Sequence, residues 1–362
     1  MLVMSLVGNR PQFVKAAPLS RALRARGTEI LVHSGQHYDP ELADLFFDEL
    51  AIPTPDHALG VGKGSPLGQL AAMLTGLEHL ITTIQPDVML VYGDTTTTLA
   101  GAISAAKCAV PLAHVEAGLR SFDRSMPEEQ NRVTTDHLST LLFCPTPVAV
   151  ANLIREGITD GVHMVGDVML DAALLFADAV ADRPGADAFD LTPGEYVLVT
   201  VHRAAATDTP EALKALVDVL RALGGPALFP VHPRTRAKLE AAGLWEAAKD
   251  IDDLRLVPPV GYLDFTRLLT QARAVVTDSG GVQKEACLHR VPCITLRETT
   301  EWTETVEHGF NTLVGMNPQR VAVALAAAAI PDAAPNLYGD GQASVRIAEL
   351  LEEFVSDGSS AG

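Results

Sequence analysis

The chain has 362 residues, 48% of them hydrophobic and only 5% aromatic, which is enough for two domains with separate cores. Its formal net charge is −18 without a basic stripe, a balance that argues against nucleic acid and anionic membrane surfaces as partners. No apolar run reaches the roughly 18 residues of a membrane-spanning helix, and no basic segment precedes the short apolar N-terminus, so we expect a cytoplasmic protein that begins with a strand.

Short apolar runs alternate with helical patterns along the chain, which indicates repeated β–α–β units. The runs are rich in β-branched residues and nearly continuous, as expected for parallel strands buried on both faces. The first set covers residues 2–8, 29–35, 87–94, 110–116 and 141–146. The second set covers residues 162–167, 196–202, 227–232, 254–259, 274–278 and 291–297. We therefore predict an α/β fold with two Rossmann-like, doubly wound domains that face a cleft.

A connection rich in Pro, Gly and Asp between residues 166 and 190 marks the predicted break between the domains. The N-terminal domain would cover residues 1–167 and the C-terminal domain residues 168–340. An amphipathic helix over 341–355 would pack back on the N-terminal domain. The last residues, 356–362, are small and polar and are predicted to be disordered.

Ligands of such folds bind beyond the carboxyl ends of the strands, so the residues that follow each strand are the first candidates. Arg10 and Lys15 follow the first strand near a helix N-terminus, where they either bind an anion or are solvated cations. Asp94 ends a strand and is either a helix cap or a site carboxylate. Glu116 ends the next strand, and Glu128 opens the following helix, where acids also complement the helix dipole.

Asp94 and Glu116 would lie close together if their strands are neighbours in the sheet. Like charges held together raise the pKa of one of them, which suits general acid and base chemistry. The N-terminal domain is therefore predicted to carry the catalytic carboxylates.

In the second half, His202 and His232 end two strands. His202 would be within reach of an opposing domain, and histidine is the residue type that suits proton transfer near neutral pH. His232 is either a packing residue or a contact to a phosphate.

A further strand is followed by Ser279, Gly280 and Gly281, whose free backbone N–H groups at a helix start predict a cradle for a diphosphate. Glu285, one helical turn on, can accept hydrogen bonds from the hydroxyls of a ribose. Arg297 follows the last predicted strand. A nucleoside diphosphate held by one domain and a sugar acted on by acids from the other is the physical interpretation, which also fits a two-domain glycosyltransferase.

Several segments carry a resemblance to a known family: GNRPQFVKAAPL, GQHYD, VYGDTTTTLAGA, HVEAGLRS, MPEEQNR, TVHR, DSGGVQKEA and LRETTEW. They run in family order from residue 8 to about 315, and together they resemble the non-hydrolysing UDP-N-acetylglucosamine 2-epimerases. The resemblance implies the two-domain fold of nucleotide-sugar glycosyltransferases, known as GT-B. It also implies interconversion of UDP-GlcNAc and UDP-ManNAc for surface polysaccharide precursors, without NAD or a required metal, by a homodimer.

The mechanism that the resemblance implies is removal of the sugar C2 proton while UDP leaves C1, followed by return of a proton on the other face and re-addition of UDP. The implied carboxylates of the chemistry are Asp94, Glu116 and Glu128, and His202 would lie against the diphosphate. The implied UDP-binding residues are Arg10, Lys15, Ser279, Gly280, Gly281, Glu285 and Arg297. His232 would be a further contact to the substrate, or to a second nucleotide sugar at a regulatory site.

The chain departs from the family pattern at two places. The first motif is commonly GTRPE in the family, whereas this chain has Asn9 in place of the Thr and Gln12 in place of the Glu. The second motif is usually HRxEN, whereas this chain has Ala205 in place of the Glu and Ala206 in place of the Asn. We expect the second departure to impair or alter the enzyme. The segments RPQ and ETTEW also resemble relatives that act on UDP-2,3-diacetamido-glucuronic acid, so that substrate stays open. A catalytically silent nucleotide-sugar-binding protein and a GT-B glycosyltransferase are the remaining alternatives.

Overall fold

A computed structural model of the chain describes residues 1–35, 50, 52–62, 64–332 and 335–360. The chain divides into two compact units, the first built from residues 1–175 and 338–362 and the second from residues 176–337. Among the described residues, no helix combines the length and the apolar character needed to cross a membrane.

In its described part, unit 1 has a parallel sheet of seven strands in the order β3-β2-β1-β4-β5-β6-β7. The strands are β1 (Leu2–Val7), β2 (Thr28–His33), β3 (His57–Ala58), β4 (Val88–Tyr92), β5 (Leu112–Val115), β6 (Leu141–Cys144) and β7 (Val162–Met164). The order reverses between β1 and β4, as in a doubly wound fold. Strand β7 pairs with β6, so the run at 162–167 belongs with the first set of strands.

The helices of unit 1 begin with capping residues or with proline, which suits the first turn because its N–H group is not needed there. They are α1 (Arg10–Arg24), α2 (Pro66–Ile84), α3 (Thr96–Lys107), α4 (Pro127–Leu138), α5 (Pro147–Arg155), α6 (Val168–Leu175) and the C-terminal helix Ala343–Ser360. Helices α2 and α3 pack on the sheet around the fully buried Met4, Val32, Met89 and Leu77. Helix α1 contacts α6 and the C-terminal helix. The central strands are thereby covered by helices.

The C-terminal helix makes polar contacts with the rest of unit 1 at its N-terminus and near its middle. The Asp171 carboxylate on α6 accepts hydrogen bonds from the backbone N–H groups of Ala343 (3.2 Å) and Ser344 (2.6 Å), which satisfies the helix N-terminus. Further along, Arg26 of unit 1 pairs with Glu349 (2.6 Å) and Glu352 (2.9 Å). The helix continues to residue 360, so residues 356–360 are helical where a disordered end was predicted.

Unit 2 has, in its described part, a parallel sheet of six strands in the order β10-β9-β8-β11-β12-β13. The strands are β8 (Val197–Thr200), β9 (Ala227–Pro230), β10 (Leu254–Val257), β11 (Ala274–Thr277), β12 (Cys293–Thr295) and β13 (Asn311–Leu313). The order again reverses beside the first strand of the unit. Together the two sheets confirm the predicted α/β class with two doubly wound, Rossmann-like domains.

Helices lie between the strands of unit 2, and two buried apolar clusters fill the space around the sheet. The helices are α7 (Ala177–Ala181), α8 (Ala204–Thr207), α9 (Pro210–Arg221), α10 (Pro233–Ala241), α11 (Trp245–Lys249), α12 (Tyr262–Gln271), α13 (Gly280–Leu288), α14 (Thr303–Glu307) and α15 (Pro318–Ala326), with a short 3-10 helix at Ala186–Phe189.

Gly8, directly after β1, provides a first test of this packing. A Cβ atom at Gly8 would clash with the hydroxyls of Thr97 and Ser34, which hydrogen-bond to each other at 2.8 Å. We expect Gly8→Ala to lower the free energy of unfolding by about 1–3 kcal/mol, because this buried site cannot expand freely. Urea unfolding followed by circular dichroism measures the change. Gly64→Ala is the matched control, since its Cβ would lie 3.6 Å from the nearest atom; equal losses in both variants would contradict the expectation.

Candidate active site

The carboxyl ends of β4 and β5 bring two predicted carboxylates to one edge of the unit 1 sheet. The two strands pair in parallel, as the sequence prediction required, and Tyr92 lies opposite Val115. The backbone N–H of Gly93 donates to the Val115 carbonyl at 3.0 Å and continues this link past the end of β4. Asp94 and Glu116 follow at once, so both acids leave the sheet at the same edge.

Glu116 has a positive φ of 72°, a conformation that is uncommon for residues other than glycine. The N–H groups of Glu116 and Ala117 both donate to the Phe143 carbonyl at 3.1 Å, which holds this turn against β6. The Glu116 carboxylate forms a buried ion pair with Lys15. A Cβ at Gly93 would lie 3.1 Å from Lys15 Nζ and 3.3 Å from Glu116 Oε2, so the ion pair lies directly against that glycine.

Asp94 is held by helix α4. Its carboxylate pairs with the Arg132 guanidinium, and its backbone carbonyl accepts from Asn131 Nδ2 at 2.9 Å. Arg132 also donates to Glu129 at 3.2 Å. The half-buried Glu128 lies three and four residues before Asn131 and Arg132, and therefore on the same face of α4.

The two strand-end acids are thus each paired with a cation. The sequence led us to expect Asp94 and Glu116 to act on each other as like charges. Instead Lys15, which was predicted to bind UDP, pairs with Glu116, and Arg132, which was not predicted, pairs with Asp94. The i, i+3 spacing of Glu129 and Arg132 is the signal in the sequence that could have indicated this arginine.

Gln12, one of the departures from the family pattern, is buried and connects two loops. Its Oε1 accepts from the Gly8 N–H at 2.8 Å, and its Nε2 donates to the Tyr92 carbonyl (2.8 Å) and to the hydroxyls of Thr95 and Thr98 (3.0 Å each). The amide of Gln12 supplies both the acceptor and the donor that these hydrogen bonds require. An ionised carboxylate at residue 12 would have no proton to donate to the Tyr92 carbonyl. Gln12 therefore ties the first loop to the loop that carries Asp94.

Helix α1 starts with a side-chain cap. Asn9 accepts from the Gln12 N–H at 3.2 Å, a role that threonine can also perform, so this departure preserves the cap. Arg10 begins the helix, but its side chain lies outside the described part of the structure.

A buried polar network lies behind the two carboxylates, and sequence reasoning missed it. Asp136 on α4 accepts from Arg120 Nη1 (2.6 Å) and the Gly118 N–H (3.1 Å), and its Oδ1 lies 2.7 Å from His114 Nδ1. Arg120 makes two further bonds to Glu156, both at 2.7 Å. Burial opposes ionisation of Asp136, but the charges and hydrogen bonds of His114 and Arg120 outweigh it and lower its pKa. The hydrogen bond from Arg120 lowers the pKa of Glu156.

In unit 2, Asp278 fixes the backbone at His202. Strands β8 and β11 are neighbours, and the buried Asp278 carboxylate accepts from the N–H groups of His202 (3.0 Å) and Arg203 (2.7 Å). The His202 ring lies 5.7 Å from the His232 ring. His232 is exposed and caps α10 by accepting from the Arg234 N–H at 3.2 Å. Asp278 was missed, although it stands at a strand end directly before the predicted cradle.

The predicted cradle begins helix α13. Ser279 is its N-cap, and α13 starts at Gly280, where a Cβ would clash with the Glu301 carboxylate. Glu301 pairs with Arg297 at 2.8 Å, which puts that guanidinium beside the same helix start. Gly281 is exposed.

Glu285 lies one turn further along α13. Burial and then the charge of Glu285 raise the pKa of Tyr262, so these two side chains are near each other.

The Ala205–Ala206 departure lies on the short helix α8. Ala206 is 4% exposed and packs in the apolar cluster of unit 2 with Val201 and Leu213, whereas Ala205 is exposed. A methyl group at residue 206 therefore continues the core, where an asparagine would need a polar partner.

The two parallel sheets, with charged residues gathered at the strand ends of each, define a two-domain α/β enzyme. The family model described as UDP-N-acetylglucosamine 2-epimerase matches residues 21–352. The chain belongs to this family, whose members are GT-B-like isomerases; the predicted fold, the resemblance and the enzyme class are thereby confirmed.

The similarity to individual relatives extends over nearly the whole chain. It is 46% identical to a UDP-N-acetylglucosamine 2-epimerase homolog of Methanococcus maripaludis, over 98% of this chain and all of that protein. It is 44% identical to the UDP-2,3-diacetamido-2,3-dideoxy-D-glucuronate 2-epimerase of Pseudomonas aeruginosa, with the same coverage. The crystal structure of the Methanocaldococcus jannaschii UDP-GlcNAc 2-epimerase in complex with UDP-GlcNAc and UDP superposes with a TM-score of 0.90, at 39% identity over 98% of this chain and all of that chain.

The Asp136 network leads to a prediction about acid stability. Because the folded pKa values of Asp136 and Glu156 are lowered, their contribution to stability is fully present above about pH 5 and is lost as the pH falls through the folded values. Arg120→Met removes the partner of both acids and leaves Asp136 buried. We expect a loss of about 3–5 kcal/mol at neutral pH and an acid-unfolding midpoint at higher pH.

Circular dichroism between neutral pH and pH 3 measures the midpoint. Arg221→Met is the control, because Arg221 and its partner Asp218 are both exposed. An unchanged midpoint in the Arg120 variant would show that the network does not stabilise the fold.

Proposed function

We propose that the chain interconverts UDP-GlcNAc and UDP-ManNAc by inverting C2 of the sugar. The observation that carries this proposal is the presence of Asp94 and Glu116 on adjacent strand ends in a chain of the UDP-N-acetylglucosamine 2-epimerase family. A UDP-sugar substrate is also supported by the Methanocaldococcus relative, whose structure was solved with UDP-GlcNAc and UDP.

Inversion at C2 requires that a C–H bond next to the anomeric carbon breaks and re-forms on the other face. In the proposed reaction a carboxylate takes the C2 proton, the electron pair of that bond forms the C1–C2 double bond, and the C1–O bond breaks to release UDP. The products of this half-reaction are 2-acetamidoglucal and UDP. A protonated acid then returns a proton to the opposite face of C2 while UDP adds back to C1.

Two proton-handling groups on opposite faces are therefore needed, and Asp94, Glu116 and Glu128 are the proposed set. The cations in unit 1 suit this chemistry. Lys15 contacts Glu116 and Arg132 contacts Asp94, so each of these two acids is held in place by a cation.

We assign the nucleotide to unit 2 within the same proposal. The N–H groups at Ser279, Gly280 and Gly281 would receive the diphosphate, with Arg297 beside them. Glu285, one turn on, would accept from the ribose hydroxyls. His202, whose backbone Asp278 holds, would lie against the leaving diphosphate.

Three further residues belong to the same proposal. His232, exposed beside His202, would be a further contact to the substrate. Arg10 and Lys15 are proposed as further UDP-binding residues. A homodimer is proposed from family membership alone.

A second candidate substrate is UDP-2,3-diacetamido-2,3-dideoxy-D-glucuronate. It is favoured by the 44% identity to the Pseudomonas aeruginosa enzyme, which lies above the 40% identity to the UDP-N-acetylglucosamine 2-epimerase of Methanocaldococcus jannaschii. The C2 chemistry is the same for both substrates. They differ in the acetamido group at C3 and the carboxylate at C6, so the difference lies in sugar recognition.

Proton NMR of the purified protein with each UDP-sugar in D2O tests the proposal. We expect deuterium to enter at C2 while the C2 epimer appears, because the proton that returns comes from a group that exchanges with solvent. Turnover of UDP-GlcNAc would establish the first substrate, and turnover of the diacetamido uronic acid alone would establish the second. Absence of exchange with both, in protein that binds UDP by calorimetry, would overturn the proposed reaction.

The variants Asp94→Asn, Glu116→Gln and Glu128→Gln test the assignment of the carboxylates. Each should lower kcat by about two to four orders of magnitude, because each removes a proton-handling group and leaves the shape of the side chain nearly unchanged. Calorimetric affinity for UDP should change little.

Arg297→Ala is the matched contrast and should weaken UDP binding. Nearly full activity in all three carboxylate variants would refute their assignment, and unchanged UDP affinity in the arginine variant would refute its role.

A further inference from the structure

The His114 ring is completely buried at the end of β5, with an acceptor at each nitrogen. Nε2 lies 2.7 Å from the carbonyl oxygen of Gly93, and Nδ1 lies 2.7 Å from Asp136 Oδ1. A backbone carbonyl can only accept a hydrogen bond, so Nε2 carries a proton. A neutral imidazole with its proton on Nε2 would place a bare Nδ1 against the Asp136 oxygen.

The surroundings of Asp136 indicate whether Nδ1 of His114 also carries a proton. Its Oδ2 atom already accepts from the Gly118 N–H and from Arg120, which favours an ionised carboxylate. An ionised Asp136 has only acceptors to offer, so Nδ1 must donate to it. Both nitrogens of His114 then carry protons and the ring is an imidazolium.

Arg120 is the cation already present beside the buried Asp136, and it also pairs with the exposed Glu156. Burial raises the pKa of the Cys144 thiol beside Asp136 to about 12, so this group contributes no charge. Two more titratable pairs face the region: the exposed His137 lies 3.4 Å from Glu156, and Lys15 with Glu116 lies against Gly93.

The hydrogen bond to the Gly93 carbonyl connects the His114 ring to the candidate active site. The Gly93 carbonyl belongs to the peptide group that joins Gly93 to Asp94, and the Gly93 N–H is held by Val115. His114 therefore fixes the orientation of the peptide that precedes Asp94. The same glycine contacts the Lys15–Glu116 pair from its Cα side.

We propose that His114 is a positioning residue, a buried imidazolium that links Asp136 to the Gly93–Asp94 peptide and thereby orients Asp94 and the Lys15–Glu116 pair for proton transfer. The positioning role rests on the proposed function of Asp94 and Glu116. The imidazolium state rests on hydrogen-bond geometry alone.

Nitrogen NMR of protein with 15N-labelled histidine tests the imidazolium without any substrate. The chain has 11 histidines, and the signals of His114 are those absent from His114→Asn. We expect two protonated ring nitrogens for His114 at about pH 8, where exposed histidines are neutral. A single protonated nitrogen at that pH would overturn the proposal. This measurement holds whether or not the protein epimerises either UDP-sugar.

Two substitutions of His114 distinguish the hydrogen bond to Gly93 from the hydrogen bond to Asp136. His114→Gln can place an amide N–H near the position of Nε2 and keep the bond to Gly93, whereas His114→Asn can place one near Nδ1 and keep only the bond to Asp136. We expect kcat to fall about tenfold to a hundredfold in the asparagine variant, with KM nearly unchanged, and to fall clearly less in the glutamine variant. Stability should drop in both variants.

The order of the two kcat values is the informative result, since a merely structural role would lower both in line with stability. Equal kcat values, or a lower value for glutamine, would refute positioning through Gly93. If neither variant folds, the doubly protonated rings of the unmodified protein are counted instead: we expect at least one such histidine at about pH 8, and a spectrum with none refutes the proposal.

Discussion

The lateral pairing of β4 and β5 is the constraint on which the candidate site in unit 1 depends. Parallel strands that are neighbours end at the same edge of a sheet, so the residues after Tyr92 and Val115 must leave it side by side. Gly93 extends the pairing by one hydrogen bond to Val115 and has no side chain to separate Lys15 from the strand end. Without this pairing Asp94 and Glu116 would be two unrelated surface acids.

Charge compensation explains how an acidic chain concentrates carboxylates at one place. The whole chain carries a formal charge of −18, yet the site acids that leave β4 and β5 each contact a cation, and Asp136 behind them contacts two side chains that donate to it. Burying a charged side chain costs free energy unless an oppositely charged side chain is close and further hydrogen bonds satisfy its remaining polar atoms. The resulting frame holds the acids in fixed positions, as proton transfer in defined geometry requires.

Much of the fold and part of the site could be predicted from the sequence because both depend on local patterns. Continuous β-branched runs indicated buried parallel strands, and polar residues after those runs indicated the strand ends at Asp94, Glu116 and His202. Short elements escaped prediction: β3 has two residues, both exposed, and β13 has three, so neither forms a clear apolar run. The last helix reaches residue 360 because helical hydrogen bonding continues through residues whose composition suggested disorder.

By itself the sequence determined the class of the fold, the family and the positions of the acids along the chain, because periodicity and motifs are properties of neighbouring residues. Only the tertiary structure decided which cation each acid meets: Lys15 and Glu116 are 101 residues apart, and Arg132 and Asp94 are 38 apart. It also decided that Gln12 joins two loops and that His114 lies between Asp136 and Gly93. Such contacts arise where separate strands and helices pack together, and no spacing within one element encodes them.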